Sequence, residues 1–149
     1  MIWLIRDSTN GAGRGNLGGM YTAVTRNIQV TVLPEFLHDR SNPDAGQYFW
    51  AYTIEIANHG ELEIQLTHRH WVITDANGQV EEVRGPGVVG ERPMLKPGES
   101  FRYTSGCPLR TPSGIMSGSY RIVDASGQEF RAEIPAFSLD SPFARRVLN

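Results

Sequence analysis

Hydrophobic and polar residues alternate along most of this chain. The clearest alternation covers residues 28–32, 48–56, 101–104, 116–122 and 130–134, with aromatic and β-branched residues on one parity. A repeat of two is typical of β-strands that bury one face. No window longer than ten residues carries a helical repeat with caps. These patterns predict a chain built almost wholly of strands, with at most one helical turn, near residues 36–40.

Short turn signals rich in Gly, Asn, Asp and Pro separate these runs. They occur at residues 42–44, 58–60, 75–78, 96–98 and 124–127. Seven or eight short strands joined by tight turns are typical of an all-β antiparallel sandwich of the fibronectin-III or immunoglobulin-like kind. The turn at 75–78 predicts a hairpin between the runs on either side of it.

The alternation breaks once. Leu66 continues the parity of Ile64, but Trp71 and Ile73 have the opposite parity. A bulge near residues 67–70 would return both later residues to the core. Such a bulge either turns a corner or re-aims side chains near a functional site.

Composition divides the chain into three parts. Residues 1–19 include five glycines and are predicted to be a flexible leader, with Met20 a sensible natural start. Residues 20–142 form the predicted domain, and residues 143–149 form a short C-terminal tail.

Charge and cysteine content narrow the functional classes. The formal net charge is -2, from 14 Lys+Arg and 16 Asp+Glu, so overall charge does not favour binding to nucleic acid or to an anionic membrane. Cys107 is the sole cysteine, which excludes an intramolecular disulfide and fits a reducing compartment. No apolar run has the length of a signal or membrane-spanning segment. The expected location is the cytoplasm.

Residues 85–90 have the spacing G-x-G-x-x-G. In dinucleotide-binding folds these glycines open a helix, but here two prolines and a glycine follow, and they exclude that helix. Two interpretations stay open. The backbone N–H groups could cradle pyrophosphate or a nucleotide, a site formed by Arg84, Gly85, Gly87, Gly90 and Arg92. Alternatively, the glycines serve only the fold.

Other candidate chemistry is sparse. His68 and His70 could share a metal on one strand face, but a better-supported interpretation is one surface and one packed histidine, and His70 with Arg69 could also form part of an anion site. Cys107 is interpreted as a structural thiol. Glu81 and Glu82 are adjacent on a strand, so they face opposite ways and cannot act as one acid/base pair. No catalytic residues, metal site or cofactor are predicted.

The domain closely resembles the bacterial ApaG family. The stretches that carry the resemblance are YFWAYTI at 48–54, NHG at 58–60, RHW at 69–71, TD at 74–75, VRGPGVVG at 83–90, LKPGESF at 95–101, YTSGCPL at 103–109, G-x-M-x-GSY at 114–120 and IPAF at 134–137. Residues 1–19 lie outside it, and His68 is not part of the shared pattern.

The resemblance implies a fibronectin-III-like sandwich. It also implies protein contacts, the role attributed to this domain in eukaryotic F-box proteins and in a polymerase-interacting protein. The bacterial gene lies near genes for diadenosine tetraphosphate hydrolysis and rRNA methylation. The family has the alternative name CorD, which comes from a link to cobalt and magnesium resistance. Pyrophosphate or nucleotide binding has been proposed for the glycine-rich loop.

Together these observations predict a non-enzymatic domain that binds a protein partner. The alternative is a small-anion sensor that binds pyrophosphate or a nucleotide at residues 84–92. Neither a membrane nor a specific nucleic acid is an expected partner. A homodimer through an edge strand is compatible with the sequence.

Overall fold

The computed structural model describes residues 3–5 and 19–144. It contains ten strands: β1 (Trp3–Ile5), β2 (Tyr21–Thr25), β3 (Ile28–Phe36), β4 (Tyr48–Asn58), β5 (Ile64–Asp75), β6 (Val80–Pro86), β7 (Met94–Leu95), β8 (Ser100–Leu109), β9 (Ser113–Asp124) and β10 (Glu129–Asp140). Among the described residues, the only helical segments are two single 3-10 turns, His38–Arg40 and Pro43–Ala45. The helical turn predicted near residues 36–40 is confirmed, and the second turn, at Pro43–Ala45, exceeds the single turn that the sequence predicts.

The strands form two antiparallel sheets. The first sheet has the order β1-β8-β4-β3-β2, and the second has the order β10-β9-β5-β6 with β7 also paired to β5. The predicted all-β antiparallel sandwich is confirmed. Two of the strands, β1 and β7, are only three and two residues long, and the other eight correspond to the seven or eight that the alternation predicts.

The core lies between the sheets and is centred on three aromatic rings. Tyr52 of the first sheet stacks edge-on against Trp71 of the second, with ring centroids 5.1 Å apart. Phe137 of β10 lies 6.1 Å from each of these two rings. All three side chains are buried, and rings of this size supply much of the apolar area that holds two sheets together.

The predicted bulge is present in β5. In the pairing of β5 with β9, Leu66 lies opposite Ile122 and His68 lies opposite Arg121, which leaves Thr67 as the extra residue. Beyond the bulge, Trp71 returns to the core and is 1% exposed. The same shift places His68 on the outer face of the second sheet.

The predicted hairpin joins β5 to β6. Asp75 Oδ1 accepts hydrogen bonds from the backbone N–H groups of Asn77 (2.8 Å) and Gln79 (3.0 Å), and Gly78 has a φ of 84°. The carboxylate stabilises the turn, and glycine supplies the positive φ.

The N-terminal leader falls mostly outside the described residues. Trp3–Ile5 pair with residues 104–106 of β8, a contact that the glycine-rich composition did not predict. The described chain ends at residue 144, where Phe143 of the predicted tail packs against Phe36 and Tyr48.

Candidate functional site

The glycine-rich loop closes on itself directly after β6. Val88 and Glu91 exchange backbone hydrogen bonds of 2.8 Å in both directions, which defines a two-residue hairpin turn. Its central residues, Val89 and Gly90, have φ values of 44° and 78°. Gly87 N–H donates to the Thr67 carbonyl at 2.8 Å. The N–H groups of Gly87 and Val88 are therefore engaged by the backbone, and those of Val89 and Gly90 have no partner among the described residues.

The two later glycines of the loop differ in what surrounds them. A β-carbon added at Gly87 would lie 2.2 Å from the Glu91 carbonyl oxygen, far inside contact distance. At Gly90 nothing lies within 4 Å of such a carbon, and only the positive φ favours glycine. These contacts support the structural interpretation of Gly87, and the anion-binding interpretation of the loop stays a prediction.

Arg69 of β5 hydrogen-bonds to the backbone of the glycine-rich loop. Its Nη1 donates to the carbonyl oxygens of Pro86 and Gly87, each at 2.9 Å. A β-carbon at Gly85 would lie 2.9 Å from Arg69 Nη2, so glycine at this position leaves room for the guanidinium. The bulge in β5 turns the Arg69 side chain to the inner side of the sheet. Its guanidinium can therefore donate to both loop carbonyls.

Cationic side chains gather on the outer side of the second sheet, around a cavity of about 220 Å³. We call this surface the cationic face. It comprises His68, His70, Arg84, Ser119, Arg121 and Arg131, and Arg69 and Gly85 also line the cavity. The strand register explains why they meet.

Two rows of paired residues cross the cationic face. In one row, Arg121 of β9 lies directly between Arg131 of β10 and His68 of β5. In the neighbouring row, His70 lies between Ser119 of β9 and Arg84 of β6. Residues paired in this way have their β-carbons about 5 Å apart, so side chains from four strands share one surface.

One carboxylate is paired with two groups of the cationic face. Glu82 Oε1 lies 2.8 Å from His70 Nε2 and 3.0 Å from Arg84 Nη2. The hydrogen bond from His70, together with the charge of Arg84, lowers the pKa of Glu82. The side chains of Arg121 and Arg131 are exposed, and neither has an ion pair or hydrogen bond to another described residue.

Only part of the predicted loop site borders the cavity of the cationic face. Arg84 and Gly85 border the cavity, whereas Gly87, Gly90 and Arg92 do not line it. Sequence reasoning missed Arg121 and Arg131. The outward parity of β9 and β10 was the available signal, but only the strand order brings these arginines beside β5.

The two histidines lie on the same outer face of the second sheet and differ in exposure. His68 is exposed and its Nδ1 lies 3.0 Å from Thr67 Oγ1, while the side chain of His70 is 31% exposed. Within residues 3–5 and 19–144, no three His, Cys, Asp or Glu side chains are grouped closely enough to hold a metal ion.

Cys107 is 1% exposed, and burial raises the pKa of its thiol to about 12. The thiol therefore stays protonated at neutral pH, and its prediction as a structural residue is supported. Glu81 and Glu82 occupy opposite parities of β6, as their adjacency requires.

A larger hollow of about 810 Å³ opens between the β5–β6 hairpin and the end of β8. Its walls include Phe49, Ile73 and Leu109, with Asp75 and Arg110 at the same opening. Glu81 adds a second carboxylate to this lining, so Arg110 is its one basic side chain among the described residues and no set of converging cationic donors forms. The cationic face is the better candidate for ligand recognition.

The fold and this face define a small antiparallel β-sandwich domain with a cation-rich sheet surface. The chain belongs to the ApaG family, since residues 38–124 match the family model described as ApaG domain. The resemblance seen in the sequence is confirmed. No helix in the described part of the chain is long and apolar enough to cross a lipid bilayer.

Relatives support this assignment across most of the chain. Protein ApaG of Methylocella silvestris is 69% identical over 130 residues, which cover 87% of this chain and 100% of that protein. Protein ApaG of Beijerinckia indica is 67% identical with the same coverage. The crystal structure of an ApaA protein from Bordetella pertussis is 46% identical, with a TM-score of 0.77, and the match covers 80% of this chain and 98% of that one.

Proposed function

We propose that this chain is a non-catalytic, cytoplasmic protein-interaction domain in which the edge strand β6 pairs with an extended segment of a partner protein. The observation that carries the proposal is the open edge of β6. This strand pairs with β5 on one side, and no described strand lies on its other side. An unpaired edge offers backbone donors and acceptors to an incoming strand.

Backbone hydrogen bonds show which residues face that edge. The pairing of β5 with β6 is bounded by the bonds from Asp75 N–H to Gln79 and from Gly87 N–H to Thr67. Antiparallel pairs alternate between bonded and non-bonded positions. This alternation directs the backbone groups of Glu82 and Arg84 away from β5, towards the open edge.

The opposite edge of the second sheet is less open. The N–H of Glu133 in β10 donates to Thr25 Oγ1 of β2 at 3.1 Å, which ties the two sheets together on that side. A register shift between Ile134 and Phe137 also interrupts β10. Irregular or covered edges resist strand addition, so β6 is the more open edge of the second sheet.

Side chains on β6 give the edge selectivity. Glu82 and Arg84 are exposed and of opposite charge, and Val80 is 59% exposed. Charged residues on an edge disfavour pairing with arbitrary apolar strands. Glu82 and Arg84 already pair with each other, so a partner segment is held mainly through the backbone groups of β6.

A proline substitution tests this docking mode. Glu82→Pro removes an N–H that no described residue uses, so the fold should persist while an added strand loses a hydrogen bond. Glu82→Thr removes the same carboxylate but keeps the N–H. We expect capture of partner proteins from a cytosolic extract to fall at least tenfold with Glu82→Pro and to change little with Glu82→Thr.

Thermal unfolding confirms that both variants are folded before they are compared. Equal capture by the two variants would show that the edge is not used. Sedimentation of the purified chain separates a foreign partner from a second copy, since a homodimer through β6 would appear in the absence of extract.

The second candidate function is the anion sensor at Arg84, Gly85, Gly87, Gly90 and Arg92, with pyrophosphate or a nucleotide as ligand. The free N–H groups of the turn at residues 89 and 90 and the position of Arg84 beside the cavity favour it. The engaged N–H groups of Gly87 and Val88 count against a full backbone cradle. Titration of Arg92→Gln with pyrophosphate isolates this loop, since Arg92 does not line the cavity.

A further inference from the structure

We propose that the cationic face is a binding site for a small phosphate-type anion. Arg121, Arg131 and His68 bind the anion, and Ser119 and Arg84 lie at the border of the site. This site lies on the outer surface of the second sheet. It shares Arg84 with the glycine-rich loop but needs neither a ligand in that loop nor a protein at the β6 edge.

Arg121 and Arg131 place two like charges on adjacent strands of this face. Arg121 lies directly opposite Arg131 on one side and His68 on the other. Like charges placed directly opposite each other on one sheet face destabilise it. No described carboxylate forms an ion pair with either arginine, although Glu129 and Glu133 flank Arg131 along β10. An anion placed between the arginines would relieve this repulsion.

The bulge in β5 shapes the same site. A regular strand continuing from Leu66 would turn His68 towards the core, and the extra residue Thr67 instead places it opposite Arg121. The same irregularity turns Arg69 to the inner side, where it holds the loop. The bulge thus builds one side of the cavity as well as restoring Trp71 to the core.

The donors on this face suit a phosphate group. Guanidinium groups present planar pairs of N–H donors that match the oxygens of a phosphate, and a serine hydroxyl adds a neutral donor. The Ser119 hydroxyl, beside His70, has no partner among the described residues. Glu82 is already paired with His70 and Arg84, so it repels an incoming anion less than a free carboxylate would.

The width of the row points to linked phosphates. Three adjacent strands span about 10 Å, which is wider than one phosphate group but suits two joined through an oxygen. Inorganic pyrophosphate and the terminal phosphates of a nucleotide share this chemistry. The cavity of about 220 Å³ admits the phosphates and leaves a nucleoside in solvent.

Isothermal titration of the full chain at low salt tests the site, with pyrophosphate, orthophosphate, ATP and sulfate as probes. We expect pyrophosphate to bind at least tenfold more tightly than sulfate. Arg121→Gln/Arg131→Gln should weaken pyrophosphate binding at least tenfold. Equal affinity for pyrophosphate and ATP would identify the phosphates as the recognised group, whereas much tighter ATP binding would show that the nucleoside is also bound and would overturn the solvent-exposed placement.

Arg102→Gln/Arg110→Gln is the matched control, because it removes the same charge from exposed positions outside the cationic face. This control should bind like the natural chain. An equal loss in both double variants would overturn the site, as it would show that only overall charge matters.

Arg92→Gln isolates the loop. Loss of binding in this variant alone would assign the anion to the loop and overturn the cationic face. Two further results would also overturn the proposal: no heat with millimolar pyrophosphate, or tighter and steeply salt-dependent binding of a single-stranded oligonucleotide. Both outcomes are independent of partner capture by β6.

Discussion

At the scale of single residues, Gly87 and Gly90 belong to one sequence pattern but have different physical roles. Both adopt positive φ, at 59° and 78°, where a side chain costs about 1–2 kcal/mol. Only Gly87 also faces a backbone atom, the Glu91 carbonyl oxygen, 2.2 Å from where a β-carbon would lie. Its replacement must therefore displace the turn.

We expect Gly87→Ala to reduce the free energy of unfolding by more than about 2 kcal/mol, and Gly90→Ala by about 1–2 kcal/mol. Urea unfolding of the two variants checks this order. Equal losses would mean that the clash at Gly87 is relieved without cost. The same contact makes Gly87 a poor position for testing ligand binding, because any loss there includes a loss of fold.

At the scale of elements, Arg69 connects the bulged strand β5 with the glycine-rich loop. One nitrogen donates to two loop carbonyls, and hydrogen bonds from a charged donor contribute about 1.5–3 kcal/mol. Without the guanidinium, the carbonyls of Pro86 and Gly87 would lose this donor. The loop would then open more often while the strands stay paired.

Arg69→Met tests this coupling, with Arg92→Met as the control. We expect amide hydrogen exchange of Val88 and Glu91 to accelerate at least tenfold in the first variant, because their mutual hydrogen bonds protect them only in the closed turn. Arg92→Met removes an arginine from the same loop and should leave exchange unchanged. Faster exchange in both variants would show that loop closure depends on charge in general.

The elements were largely predictable from sequence, and the candidate site only in part. The alternation of hydrophobic and polar residues predicted the strands, because a buried face repeats every two residues. It also predicted the bulge, because Leu66 and Trp71 have opposite parity. Arg84 and Gly85 were found because they flank a recognisable spacing. Arg121 and Arg131 were not, since their outward parity shows only that they are exposed, and the strand order that brings them beside β5 has no local signal.

At the scale of the whole molecule, a pair of buried phenols links the two sheets. Tyr103 of β8 and Tyr120 of β9 hydrogen-bond through their hydroxyl groups, and both side chains are buried. Burial raises the pKa of Tyr103 well above its ordinary value, as it does for Tyr120, so both phenols stay protonated. Each hydroxyl therefore depends on the other inside the core.

Removing either hydroxyl should leave its partner unsatisfied. We expect Tyr103→Phe and Tyr120→Phe each to reduce the free energy of unfolding by about 1–3 kcal/mol. The double variant should lose clearly less than the sum, because no buried hydroxyl then lacks its partner. Thermal or urea unfolding of the three variants completes this double-mutant cycle, and strictly additive losses would contradict the link.

The sequence by itself determined the all-β class, the hairpin at Asp75, the need for a bulge and the family. Each of these rests on residues that are close along the chain, where periodicity and turn chemistry act. The tertiary structure alone decided that β6 lies at an open edge and that Arg131, Arg121 and His68 form one row. Those outcomes depend on strand order and register, which are set by packing between distant segments rather than by any local pattern.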